Sequence, residues 1–293
     1  MRQVVEVGRH QIGENLPVYS IAEIGINHNG SVDNALRLID AASLAGFSAV
    51  KFQKRTIEVV YSAEELATPR ERFFGKTNGE LKRGLEFGKK EYEQISARCN
   101  SNGIDWFASP WDLQSVDFLE DLNVVAYKIA SACLTDLELL RRVNQTKKPV
   151  FMSTGMSSLD MIHKAVKEID NARLILLHTV STYPAANDDL NLSAIQTLQR
   201  EFPNIPIGYS GHEVGLLPTI VAVTRYDAVC IERHVTLDRA MWGSDQAASI
   251  EPSGMIRLIR DIKSLDPMYG SGSKDIIEKE IPIMKKLRRN NTL

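Results

Sequence analysis

Residues 206–235 read PIGYSGHEVGLLPTIVAVTRYDAVCIERHV. Two short apolar runs, PIGYSG and AVCIERHV, bracket a helical pattern over 214–226. Both runs are continuous rather than alternating, as strands covered on both faces should be. Each breaks into a polar loop just past a histidine, His212 in the first and His234 in the second. In a parallel α/β fold, consecutive strand ends lie side by side at the face where chemistry is done. Two imidazoles placed there can share one divalent metal ion; the bland reading is a pair of satisfied core histidines.

The same unit repeats outward. Further β-branched-rich runs stand at 19–26, 48–53, 106–110, 126–131, 149–154 and 174–179. Helical patterns follow the runs over 31–46, 89–102, 113–123, 135–146, 157–170, 189–202 and 253–265. The first of these starts with Ser31 as N-cap and stops at Gly46. Eight strand–helix units in 293 residues spell an α/β protein, a (β/α)8 TIM barrel, in one domain. Residues 54–88 are an insertion after strand two, and they should border the active face. The first 18 residues form an expected hairpin under the barrel, and 286–293 a frayed basic tail.

Composition narrows the class. A net charge of -2 gives no sign of nucleic-acid binding, which needs a basic excess. Cys99, Cys133 and Cys230 show no CxxC spacing, so neither a disulfide framework nor a zinc ribbon is expected. The N-terminus is a poor signal peptide, and no apolar run approaches the about 20 residues of a membrane span. A cytoplasmic protein without a membrane partner is expected.

Along the C-terminal rim the strands present Glu23, Lys51, Gln53, Ser109, Lys128, Ser131, Ser153, Ser210, Glu232 and His234, with Tyr183 and Asp245 in the loops beyond. Buried charge is costly unless paired, so two lysines among hydroxyls mark either an internal ion network or an anion site. Lys51, Lys128 and the serines suit a compact polyanion carrying phosphate and carboxylate. His212, His234 and Glu23 suit a divalent cation, and mixed imidazole and oxygen ligation favours Mn2+, Zn2+ or Fe2+ over Mg2+. His28 and His178 are weaker candidates; His10 and His163 look peripheral.

The segments IAEIGINHNG, AVKFQ, YKIAS, STGM, LLHTVSTYP, IGYSGHEVG, ERHVTLDRAMWGSDQAAS and EPSGM, in this order over about residues 18–285, closely resemble the sialic acid (nonulosonic acid) synthases. The resemblance implies a transferase that condenses phosphoenolpyruvate with a mannose-type aldose, N-acetylmannosamine or its 6-phosphate, to a nine-carbon 2-keto acid and phosphate. It implies a metal, Mn2+ above all with Mg2+, Co2+ or Zn2+ as alternatives, on His212 and His234. It assigns phosphoenolpyruvate to Lys51, Ser109, Lys128, Ser131, Ser153 and Ser210. It assigns the sugar to Gln53, Tyr183, Glu232 and Asp245, and it implies a homodimer. Among the catalytic groups Glu23, Lys51, Lys128 and Glu232, the first would position or deprotonate the attacking water. Glu232 or a metal-bound water would return a proton to the new alkoxide.

Two departures bear on the sugar. Cys133 stands where many members carry an acidic residue that contacts it; either the preference differs or the thiol merely packs. The sequence also stops short of the family's small antifreeze-like domain, so another protein would supply that group, or the sugar has no N-acetyl group to hold. In the insertion, GKTNGELKRGLEF resembles members that accept 6-phosphorylated sugars, and Arg70, Arg72, Lys76, Lys82 and Arg83 cluster there. The bland reading is a solvated face neutralised by Glu71, Glu80 and Glu86. Competing readings are mannose 6-phosphate as substrate giving KDN 9-phosphate, a barrel hydrolase, aldolase or isomerase, and a non-catalytic sugar-binding barrel.

Overall fold

A computed structural model of the chain describes residues 2–70 and 73–289. Arg72 and Glu71 of the insertion and residues 290–293 of the expected tail lie outside them. Strands β1 (Val5–Val7) and β2 (His10–Ile12) form an antiparallel hairpin. Strands β3 (Tyr19–Gly25), β4 (Ala49–Lys54), β5 (Asp105–Pro110), β6 (Tyr127–Ile129), β7 (Val150–Ser153), β8 (Leu174–Thr179), β9 (Ile207–Gly211) and β10 (Cys230–His234) follow. All eight pair in parallel and close into a barrel through β10 and β3. This is the (β/α)8 barrel that the strand–helix spacing implies.

Local chemistry sets the helix ends. The Ser31 side chain accepts from the Asn34 N–H at the start of Val32–Ala45, and Gly46 ends that helix in the left-handed region at φ 87°. Lys89–Asn102 ends the same way at Gly103. Three helices fall short of their patterns by three residues or more at one end: Leu159–Val166 within 157–170, Ala194–Glu201 within 189–202 and Leu217–Tyr226 within 214–226. Strand β6 is also short, so Ser131 begins a 3-10 turn (Ser131–Cys133) rather than ending a strand. The insertion carries three short helices, Ile57–Val60, Ala63–Ala67 and Asn78–Leu85. A helix at Ile281–Leu287 takes in the first two residues of the expected tail. Among the described residues, no helix is long and apolar enough to cross a membrane.

The barrel interior is layered by the two-residue strand period. Low in the barrel, Phe151 stacks between Tyr19 and Phe107, with ring centroids 5.6 and 5.2 Å away. Each buried aromatic of this kind contributes about 1.5–3 kcal/mol. Two residues further along the same strands come Ser153 and Ser109, and the lining turns polar. The hairpin covers the opposite end, with Val5, Val7 and Ile12 buried and the Arg9 N–H donating to Asp105 Oδ2 at 3.0 Å.

Gly8 turns that hairpin at φ +53°, and a Cβ there would lie 2.0 Å from Asp105 Oδ2. Gly8→Ala is therefore expected to destabilise the fold by about 1–3 kcal/mol, read as a lower urea midpoint. An unchanged midpoint would show that the hairpin contributes nothing to barrel stability.

Candidate active site

Strand register brings the rim residues together. Glu23 lies level with Lys51 and with His234, Gln53 with Ser109, and Ser210 with both Glu232 and Thr179. They line one cavity of about 310 Å³ at the C-terminal ends of the strands. Of the sequence-predicted site residues only Asp245 does not line it. It faces an adjoining cavity of about 280 Å³ that shares Gln53, Trp111 and Tyr183 as walls.

The charges are already paired with one another. Lys51 Nζ lies 2.7 Å from Glu23 Oε2 and 3.7 Å from Glu232 Oε1, and it donates to Ser109 Oγ at 3.1 Å. Lys128 Nζ donates to both Glu232 oxygens, at 2.7 and 2.9 Å, and Ser210 Oγ donates to Oε1 at 3.1 Å. Gln53 donates to Glu23 Oε1 at 2.8 Å. The expected internal ion network is thus present, two cations against two carboxylates. All four side chains are at most 3% exposed. Buried pairs are weak stabilisers, because desolvation offsets most of the attraction. Their gathering beside a cavity points to binding rather than folding.

Burial alone would raise the Glu232 carboxyl, but Lys128 and Lys51 outweigh it and hold it down at about 2. Glu232 held in this way accepts hydrogen bonds from Lys128 and Ser210. Burial lowers the Lys128 ammonium against the pull of Glu232, and Lys51 lowers it further. An incoming anion would oppose both effects. Glu23, expected beside the histidines as an oxygen ligand, is engaged instead by Lys51 and Gln53.

The histidines do converge. Their ring centroids are 5.2 Å apart, with the Tyr183 ring 4.0 Å from His212 and 5.6 Å from His234. His212 Nδ1 lies 2.6 Å from the Val180 carbonyl oxygen, so that nitrogen carries the proton and Nε2 keeps its lone pair. Burial first, then the neighbouring His234, lowers His212 to about 3, so the ring is neutral at pH 7. His234 Nδ1 is buried with no hydrogen-bond partner among the described residues, 3.5 Å from Asp245 Oδ2. Among the described residues no three His, Cys, Asp or Glu groups converge to enclose a metal. Two imidazoles with free lone pairs fit a cation whose other positions belong to substrate and water.

The remaining candidates sort plainly. His28 is a core residue, stacked 4.0 Å from Phe87, with Nδ1 accepting from the Gly30 N–H; burial takes it down to about 3. His178 is held 2.8 Å from the Leu190 carbonyl. Cys133 packs in the hydrophobic core, and burial pushes its thiol up to about 12. The basic cluster of the insertion divides: Arg83 pairs with Glu58 at 2.9 Å, Arg70 with Asn78, and among its described residues only Lys82 faces a site cavity. Sequence reasoning missed Trp111 and Arg55, whose guanidinium lies 4.2 Å over the Trp111 ring. Their position just past the ends of β5 and β4 was the available signal. It also missed Thr179, which ends β8 and donates to Ser153 Oγ at 3.2 Å.

Fold and site together define a TIM barrel whose charged cavity lies at the face where barrel enzymes act. Residues 38–274 match the NeuB family. The chain belongs to that family. It is 36% identical to the N-acetylneuraminate-9-phosphate synthase of Mus musculus over 284 residues, 95% of this chain and 79% of that protein. It is 35% identical to the N,N'-diacetyllegionaminic acid synthase of Legionella pneumophila, covering 96% of this chain and 81% of that protein. Among solved structures, the N-acetylneuraminic acid (sialic acid) synthetase of Leptospira borgpetersenii in complex with citrate superposes with a TM-score of 0.83. That match has 34% identity and covers 99% of both chains.

Proposed function

We propose that this protein condenses phosphoenolpyruvate with an open-chain mannose-type aldose, giving a nine-carbon 2-keto acid and phosphate. The observation that carries the reading is the Lys51–Glu23 and Lys128–Glu232 lattice, ringed by serines and opening onto the histidine pair in one cavity. The relatives' names support the product class, since they are synthases of nonulosonic acids. Lys51, Lys128 and the serines hold the phosphate and carboxylate through charge-assisted hydrogen bonds. C3 of the enol ester bonds to the aldehyde carbon, whose oxygen takes up a proton to become a hydroxyl; water adds at C2 with loss of a proton, and phosphate leaves by C–O cleavage to leave the 2-keto group. Glu23, oriented by Lys51 and Gln53, would take the proton from that water. Glu232 positions Lys128 and Ser210. A divalent cation, Mn2+ by preference, would be held by His212 and His234 and would polarise the aldehyde oxygen as a Lewis acid.

The test is phosphate release. We expect it from phosphoenolpyruvate only when a mannose-type sugar and Mn2+ are both present, with the product mass equal to sugar plus pyruvate. A complete hexose panel without turnover, or sugar turnover that ignores phosphoenolpyruvate, would overturn the reading.

A further inference from the structure

Thr179 ends β8 in the catalytic cavity, so by strand parity His178 shares the outer face of β8 with Leu174 and Leu176. A polar ring on that apolar face is 8% exposed and needs a partner to be tolerated there. It has one: Nε2 lies 2.8 Å from the Leu190 carbonyl oxygen. A carbonyl only accepts, so Nε2 carries the proton; burial lowers this imidazole and keeps it neutral. No other donor reaches that carbonyl among the described residues. The ring also lines a cavity of about 330 Å³ between the helices Leu159–Val166 and Ala194–Glu201, separate from the catalytic one.

Leu190 ends the loop that leaves β8, and this loop forms one wall of the catalytic cavity. At its start the Val180 carbonyl accepts from His212 Nδ1 at 2.6 Å. Ser181 and Tyr183 then line the cavity, with the Tyr183 ring 4.0 Å from His212. The Ala185 N–H donates to the His212 carbonyl at 3.0 Å. The chain turns through Asn187–Asp189 to Leu190, which is buried, and Asn191 reverses it in the left-handed region at φ 43°. The loop is thus fastened by His212 at its start and middle, and by His178 at its end.

We propose that His178 is a positioning residue: by donating to the Leu190 carbonyl it closes the loop 180–190 onto the cavity and so sets where Tyr183 stands. The inference rests on the reading above, in which Tyr183 faces the sugar. A side chain of similar size without a donor would fill the space on the outer face of β8 and leave the Leu190 carbonyl buried and unpaired. That carbonyl must then draw water in or pull away from the barrel, and the loop end moves with it. The hydrogen bond, not the volume of the ring, is what the position requires.

The experiment compares the wild type with His178→Leu, His178→Gln and His178→Ala, by hydrogen exchange with mass spectrometry and by steady-state kinetics. In His178→Leu the amides of 180–190 should exchange about 10-fold faster, the scale of one lost hydrogen bond to a buried carbonyl, while the barrel strands keep their protection. KM for the sugar should rise by a similar factor, and KM for phosphoenolpyruvate far less. His178→Gln, whose amide can donate in place of Nε2, should recover most of both losses. His178→Ala leaves a hole that meets the 330 Å³ cavity, so added imidazole should restore loop protection and sugar KM. At mildly alkaline pH 1-methylimidazole is neutral and has no N–H to donate, and it should restore neither. An unmoved loop in His178→Leu, a Gln variant as impaired as the Leu variant, or equal rescue by both imidazoles would overturn the proposal. Should His178→Leu fail to fold, the Gln and imidazole comparisons decide alone. A loop freed in a protein that shows no condensation keeps the tether and defeats the reading of the reaction. Full condensation with an unmoved loop does the reverse.

Discussion

His212→Ala and His234→Ala should each lower turnover about 100- to 1,000-fold or more, the scale of losing several kcal/mol of transition-state stabilisation. Both rings line the cavity, 5.2 Å apart, and neither belongs to the hydrophobic core cluster. His212 gives up one hydrogen bond to Val180, which costs about 1 kcal/mol, or about 2–4 °C in Tm. The expected result is therefore a large loss of activity on a nearly intact fold. Mn2+ titration followed by electron paramagnetic resonance gives a second readout, and each variant should bind the ion far more weakly. Variants that keep both activity and Mn2+ affinity would return these residues to ordinary core histidines.

The barrel was legible because its signals are local. Continuous apolar runs, Ser31 and Gly46 as caps, and regular spacing placed every barrel strand within two residues of its observed ends. The rim was legible for a related reason: a lysine or glutamate inside such a run has to face something polar. What sequence left open is pairing across strands. Nothing in the order of residues says that Glu232 is shared by Lys128, Lys51 and Ser210, yet that sharing holds its carboxyl down against burial. The insertion shows a different limit. The capping box of Thr77 with Glu80 starts the helix Asn78–Leu85, but no local pattern says that Lys82 turns toward the cavity while Arg83 turns to Glu58.

Parity along β10 hid one more feature, and it leads to the largest stability effect expected. Glu232 and His234 face the cavity, so Arg233 between them points outward. It is 0% exposed, as is its partner Glu213, one residue past His212. The guanidinium lies 2.9 Å from Glu213 Oε1 and donates to the Glu213 and Gly215 carbonyls at 2.7 and 2.8 Å and to Thr219 at 2.9 Å. Tyr209 and Thr219 donate to the Glu213 carboxylate at 2.8 and 3.0 Å. Arg233→Met leaves that carboxylate buried without its cation, and should cost about 3–5 kcal/mol in urea unfolding. Adding Glu213→Leu removes the stranded charge, and the double variant should recover much of the lost stability, since apolar replacements of buried pairs are often neutral. Catalysis should not recover with it. The ion pair ties the tip of β9 to the tip of β10, one residue from each histidine, and apolar packing fixes that spacing less tightly than four directional contacts. The double variant is therefore expected to melt near the wild type, with kcat reduced and Mn2+ bound more weakly. Full activity in a stable double variant would show that the pair serves folding alone. A double variant no more stable than Arg233→Met would show that the hydrogen bonds to Gly215 and Thr219, not the charge, hold this end of the barrel together.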